Sequence, residues 1–282
     1  MPGIPSSDTD LWPDSWRRDP EPRYRLSAWT IGVVLVVIPV VFAVILLGEA
    51  NVSGAGYAIA VAVIGALILS IGVESRLRLR HDGAEPVTTA EENGRMGLVV
   101  PYSRRLHVLI TAMMSAIALL LMMVAVDAAD SGGFYLWAAL ALVFASFPVL
   151  LLRRKYALGH LHVSPDGVLH RGWTFRSFLP WSGIDMVHPM QTDGPDILVT
   201  ARDGTPWERE QLTRLWRADK PAELPGDHGQ PKPAIHIPGK YLAADPALVL
   251  AALVFYGNRP EARAELGTDA ALHRVRAAAF DA

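Results

Sequence analysis

Four long apolar runs constrain this chain more than any other feature, because few folds other than membrane spans can use them. They cover 31–47, 57–73, 108–126 and 134–152, and none contains Lys, Arg, Asp, Glu or His. At about 1.5 Å per helical residue, each roughly matches a hydrocarbon core of about 30 Å. The connecting segments alternate in charge. Arg17, Arg18, Arg23 and Arg25 precede the first run, whereas 48–56 has no basic residue. Arg76, Arg78, Arg80, Arg95, Arg104 and Arg105 fill the middle loop, 127–133 again has none, and Arg153, Arg154 and Lys155 follow the last run. The positive-inside rule then places both termini and the middle loop in the cytoplasm, with the chain a multi-pass protein of the plasma (inner) membrane.

These spans account for a mean hydropathy of +0.25 in a chain of 282 residues. The expected organisation is a cytoplasmic tail over 1–28, a four-helix membrane domain over 29–152 with a cytoplasmic loop at 74–107, and a cytoplasmic domain over 153–282. The tail carries Asp8, Asp10, Asp14, Asp19 and Glu21 among five prolines and lacks the pattern of a signal peptide. It reads as an unordered tail, with Trp12 and Trp16 offered to the headgroup region as the other possibility. With no cysteine, thiolate chemistry and disulfides are excluded.

Deep polar groups are restricted to Ser70, Thr111, Ser115 and Ser146, which can bond to their own helix backbone. A transporter or intramembrane enzyme normally needs ionisable groups at that depth, so the spans read as an anchor. Ala58, Ala62, Ala66 and Ser70 recur every four residues, and Ala138, Ala141 and Ala145 form a similar stripe. Both suit close helix packing, within the chain or against a second copy.

The middle loop has two readings. Arg76–Arg80 alternates with leucine, and Gly97-Leu98-Val99-Val100 is a second apolar piece, so the two could form a hairpin docked on the last domain. The preferred reading is a loop lying along the membrane, its arginines on anionic headgroups. Arg76, Arg78, Arg80, Arg104, Arg105, Arg153, Arg154 and Lys155 are the candidate lipid-contact residues.

Beyond residue 155 short strands are expected at 157–163, 168–173, 175–179, 184–187, 197–201 and 234–237, with a helix at 212–218. Asp203-Gly204 signals a hairpin, and 221–233 reads as a Pro/Gly-rich loop. Asp245-Pro246 opens a buried helix through 256, followed by a helical stretch from 260 and another through 280. Val163-Ser164-Pro165-Asp166-Gly167-Val168, Arg171-Gly172-Trp173 and Pro180-Trp181-Ser182-Gly183-Ile184 resemble the bacterial pleckstrin-homology-like family found on membrane-anchored proteins. The resemblance implies a β-barrel or sandwich plugged by a closing helix and used for binding or assembly. The fold class is therefore four membrane helices in two hairpins plus a C-terminal PH-like domain.

His160, His162, His170, His188 and His236, with Asp166 or Asp185, could be assembled into a metal site, but the spacing matches no zinc pattern. Exposed strand histidines are the simpler reading, and no cofactor is expected. Ser182, Asp185 and His188 form a paper triad without an oxyanion-hole signature. The chain is read as non-enzymatic, and it has no basic stripe for nucleic acid. Trp173, Trp181, Trp207 and Trp216 suit a core better than a recognition patch. The expected partners are membrane lipids and a membrane protein or a second copy. Two other functions remain open: an accessory subunit of a transport or envelope-synthesis complex, and a membrane enzyme acting at the cytoplasmic face.

Overall fold

A computed structural model describes residues 13, 16, 29–77, 86–153, 158–192, 194–212, 223–225 and 231–280. The chain divides into two compact units, one from Asp19–Ser75 and Arg104–Tyr156, the other from Met1–Arg18, Arg76–Ser103 and Ala157–Ala282.

The first unit is helical. Its helices α1 (Trp29–Gly48), α2 (Val52–Leu77), α3 (Arg104–Asp127) and α4 (Phe134–Leu152) include four stretches long and apolar enough to cross a membrane. The chain is thus a multi-pass membrane protein. Residues 33–37 of α1 widen into a π-helical segment just before Pro39. Proline has no N–H for the Leu35 carbonyl and crowds it sterically, and the wider turn, with Ile38 N–H on the Val33 carbonyl, accommodates the ring. That carbonyl faces α2 at Gly65, where a Cβ would stand 2.4 Å from it. The expected stripe on α2 is only half buried: Ala58 and Ala62 are, Ala66 and Ser70 are not, and Ala55 and Gly65 complete the face. Steps of four residues overshoot a 3.6-residue turn, so a strict i+4 stripe rotates off the contact within two turns. On α4 Ala141 and Phe147 are buried, whereas Ala138 and Ala145 of the expected stripe are only partly so. Ser70, Thr111, Ser115 and Ser146 all donate to carbonyls three or four residues back, as their helix setting predicts.

The second unit is built from two antiparallel sheets. Strands β1 (Thr88–Glu92), β2 (Arg95–Pro101), β3 (His160–Ser164), β4 (Gly167–Arg171) and β5 (Phe175–Pro180) form the first sheet in that order. After a single 3-10 turn at Trp181–Gly183 the chain enters the second sheet with β6 (Ile184–Gln191) and β7 (Pro195–Ala201). β8 (Glu208–Gln211) then returns to pair with β5, and β9 (Glu223–Pro225) and β10 (Pro231–Pro238) complete the order β6-β7-β10-β9.

Three sequence expectations change here. The middle loop contributes β1 and β2 to the same sheet as β3, with Leu98 opposite Val163 and Val100 opposite Leu161. Its hairpin uses Thr88–Glu92 rather than 76–80, since Arg76 and Leu77 end α2 and Arg78 and Arg80 lie outside the described residues. Asp203-Gly204 makes a tight turn, Thr205 N–H to Arg202 carbonyl at 3.2 Å, but joins strands of different sheets instead of a hairpin. Within 221–233 a short ladder pairs Lys232 with Leu224, at the sheet edge where proline-rich strands are tolerated. The helix expected at 212–218 lies almost wholly outside the described residues.

Between the sheets sit Leu161, Val163, Val168, Leu179, Ile197, Val199, Ile235 and Ile237, all buried. Helix α5 (Pro246–Asn258) covers β6 and β7, and its first turn is capped by Asp245 accepting from Ala247 N–H at 2.8 Å. Pro260–Glu265 is a 3-10 helix, and α6 (Asp269–Arg276) stops short of the expected end at 280. At one corner the sheets are joined by backbone bonds: Ala243 N–H to Pro101 carbonyl at 2.9 Å and Ser103 N–H to Tyr241 carbonyl at 2.7 Å.

Candidate functional site

Strand alternation sends Leu161 and Val163 inward and His160 and His162 to the other face of the first sheet. That face is covered by the β1–β2 hairpin. Asn93 and Gly94 take positive φ (53° and 76°) at its turn, and the tip reaches β5, where Arg176 Nη1 donates to Asn93 Oδ1 at 3.5 Å. His160 Nε2 donates to Glu92 Oε2 at 2.5 Å, and His162 Nε2 lies 3.3 Å from the Ala90 carbonyl. Arg95 reaches Asp166 at 3.2 Å and stacks over Phe178, its guanidinium 4.6 Å from the ring centre. The His160 hydrogen bond holds the Glu92 carboxyl below its usual range, against a smaller opposing effect of burial. Burial pushes His162 down. Gly97 is required by this crossing, because a Cβ there would meet the Val163 carbonyl at 2.5 Å and His162 Nε2 at 2.6 Å.

A second polar group lies on the inward face of the first sheet. His170, opposite Leu161 on β4, is 1% exposed and shares a 2.5 Å hydrogen bond between Nε2 and the Tyr102 hydroxyl. Phe175 packs edge-on against its ring at 5.3 Å. Desolvation lowers His170 to about 3, with the nearby His236 and His160 acting in the same direction. Its Nδ1 and the facing Ser177 Oγ are buried without a hydrogen-bond partner. A neutral imidazole wedged among rings suits a packing and hydrogen-bonding role, not proton transfer at neutral pH.

The histidines proposed as metal ligands do not converge. His160 and His162 are on the hairpin-covered face, His170 is inside, and His188 and His236 belong to the second sheet. Asp196 is the buried acid beside His236, 3.1 Å from Nε2, and also takes the Thr192 hydroxyl and the Gly239 N–H. Among the described residues no group of three His, Cys, Asp or Glu could hold a metal ion. The Ser182, Asp185 and His188 triad also comes apart, because Asp185 pairs with Lys232 Nζ at 3.2 Å and His188 Nδ1 is buried without a hydrogen-bond partner.

Of the lipid-contact candidates, Arg104 and Arg105 open α3, Arg153 follows α4, and all three are exposed. Arg76 lies in the last turn of α2, while Arg78, Arg80, Arg154 and Lys155 lie outside the described residues. Trp181 is buried and donates to the Ser164 carbonyl at 2.8 Å. Trp173 and Trp207 are half-buried against the same core, and Trp216 is outside the described residues.

Sequence reasoning missed Trp16. This residue is 4% exposed, belongs to the β-unit core and donates its indole N–H to the Met190 carbonyl at 3.0 Å. A tryptophan in an acidic, proline-rich stretch, spaced from any strand, gives no periodic signal to mark it as core.

Comparison with known proteins adds no identity: no family model, no curated protein and no solved structure matches this chain.

Proposed function

We propose that this protein is a non-enzymatic membrane protein that presents a PH-like binding or assembly module on the cytoplasmic face. The observation carrying this reading is that the β unit is assembled from chain before α1, between α2 and α3, and after α4. Each of those segments is separated from the next by two spans, so one folded unit can gather them only on a single side of a bilayer. The arginine distribution favours the cytoplasm as that side. Such an arrangement ties a binding surface to the membrane and raises its effective concentration for a membrane-bound partner.

The PH-like assignment rests on strand order. Counting from β2, four strands of one sheet (β2-β3-β4-β5) are followed by β6, β7 and β10 of the other and a closing helix α5, with β1, β8 and β9 as additions at the sheet edges. In this reading α3 and α4 are an insertion between the first two strands of the barrel. Arg76, Arg104, Arg105 and Arg153 mark the span ends that continue toward the β unit, where anionic headgroups would meet them.

The test is a photo-crosslinking scan of the full chain in its native membrane. Probes go at Met186 and Glu208 on the β unit and at Leu142 on α4, three exposed positions. The module reading expects one protein captured from the β-unit positions and not from Leu142. Capture from Leu142 alone supports an accessory subunit held through its spans, and a partner from neither overturns the binding reading.

A further inference from the structure

At the turn ends of α2 and α3 an open cavity of about 250 Å³ is lined by Ser53 and Tyr57 from α2 and by Leu119, Met122, Met123, Val126 and Asp127 from α3. Asp127 is the last residue of α3, where the helix dipole already concentrates negative charge. Its Oδ2 accepts from the Tyr57 hydroxyl at 2.6 Å, a bond that supplies no counter-charge. Asp127 is exposed, and the spans and turns around it, 26–75 and 108–152, contain no Lys, Arg or His. Ser53, in the first turn of α2, stands at the positive end of that helix. The site therefore offers a negative pole and a weaker positive pole across one small cavity.

The remaining wall says where the ligand comes from. Leu119 is 64% exposed and Met122 38%, so the wall turns outward from the helical unit and the cavity opens sideways toward acyl chains. Methionine side chains adapt readily to such a chain. We propose that this cavity binds one aminophospholipid, with its ammonium group on Asp127, its phosphate near the first turn of α2 and an acyl chain along Leu119 and Met122. The inference depends on the helices crossing a bilayer and not on the role of the β unit, so either can fail alone.

The test is native mass spectrometry of the full chain offered equal amounts of phosphatidylethanolamine and phosphatidylglycerol with matched acyl chains. The expected result is a single phosphatidylethanolamine retained about tenfold over phosphatidylglycerol, the ratio given by 1.4 kcal/mol. Asp127→Asn, nearly isosteric, should bring that ratio close to one. Met123→Trp should reduce retention by filling the cavity while Asp127 stays in place. Equal retention of both lipids by the unaltered chain, or an unchanged preference in Asp127→Asn, overturns the proposal. Glycerophosphoethanolamine, the same headgroup without chains, should not displace the lipid at equal concentration. If it does, the ligand is a soluble amine and the lipid assignment falls.

Discussion

The indole N–H of Trp16 donates to the carbonyl of Met190, 174 residues further along the chain, at 3.0 Å. This bond fastens chain that precedes the first span to strand β6. Trp16 backbone N–H also bonds the Pro13 carbonyl at 2.8 Å, a turn that presents the ring to the core. Replacing Trp16 with alanine removes a nearly fully buried aromatic side chain and should cost about 3–5 kcal/mol. Trp16→Phe keeps most of the volume and loses the hydrogen bond, for a cost of about 1 kcal/mol. Urea denaturation followed by far-UV circular dichroism separates the two. If alanine is tolerated as well as phenylalanine, the Trp16 contact is not part of the folded unit.

The hairpin crossing makes a different demand. A valine at position 97 would place Cβ 2.5 Å from the Val163 carbonyl, a backbone atom that cannot move without opening the β2–β3 ladder. Overpacking of this sort costs about 1–3 kcal/mol. The expected signature of Gly97→Val is faster amide exchange along 88–101, with exchange in β7 and β10 much less changed. Uniform acceleration over the whole β unit would contradict a local crossing.

Much of this architecture was legible in the sequence, for physical reasons that differ by element. The spans were legible because a bilayer leaves an uncharged helix little alternative, and the helices extend the apolar runs by only a few residues. The strands from 157 to 201 were legible through alternation and the Asp166-Gly167 turn. Asn93-Gly94 was as clear a hairpin signal as any in the chain. The arginines at 76–80 offer a competing period-two pattern next to it, and only the structure separates the two. The sheet change at Asp203-Gly204 could not be read, since a turn dipeptide fixes local φ and leaves the partner strand open. The sharing of one core by Trp16, β2 and β3 was equally out of reach, because no local pattern records contacts across inserted spans.

Acid should loosen the β unit in two stages. His170 is neutral in the fold, lowered to about 3, whereas the unfolded residue titrates near 6.5. Between those values the unfolded state binds a proton that the folded state refuses. The stabilisation is therefore complete above about pH 6.5 and falls by up to about 1.4 kcal/mol per pH unit as pH drops toward 3. His162, also lowered by burial, adds in the same sense. Glu92 and Glu265 are held below their usual range, chiefly by hydrogen bonds from His160 and Arg274 respectively, and their stabilisation is lost only below about pH 4.5. His170→Gln keeps a hydrogen-bonding group beside Tyr102 without a proton to bind. It should reduce the slope of the urea midpoint against pH between 6.5 and 4.5 to the part that His162 supplies, and leave the carboxylate-dependent loss at lower pH in place.

Pro39 and Gly65 together set how closely α1 and α2 approach. Proline deprives the Leu35 carbonyl of its usual i+4 donor, and the π-helical turn at 33–37 swings that carbonyl toward α2. Only a residue without Cβ can sit opposite, since even alanine at 65 would bring a methyl carbon to 2.4 Å from the oxygen and 2.7 Å from Leu35 Cβ. Gly65→Ala should therefore separate the helices and weaken their packing. Gly72→Ala, one further on the same helix with nothing within 4 Å of its Cβ position, should be neutral or slightly stabilising through helix propensity. The check is engineered cross-linking: cysteines placed at Gly32 and Leu69, whose side-chain Cδ1 lies 3.4 Å from a Cβ built at Gly32, in a chain with no other cysteine. Disulfide yield should drop in Gly65→Ala and persist in Gly72→Ala, and equal yields in both would mean the glycine contact does not govern the approach.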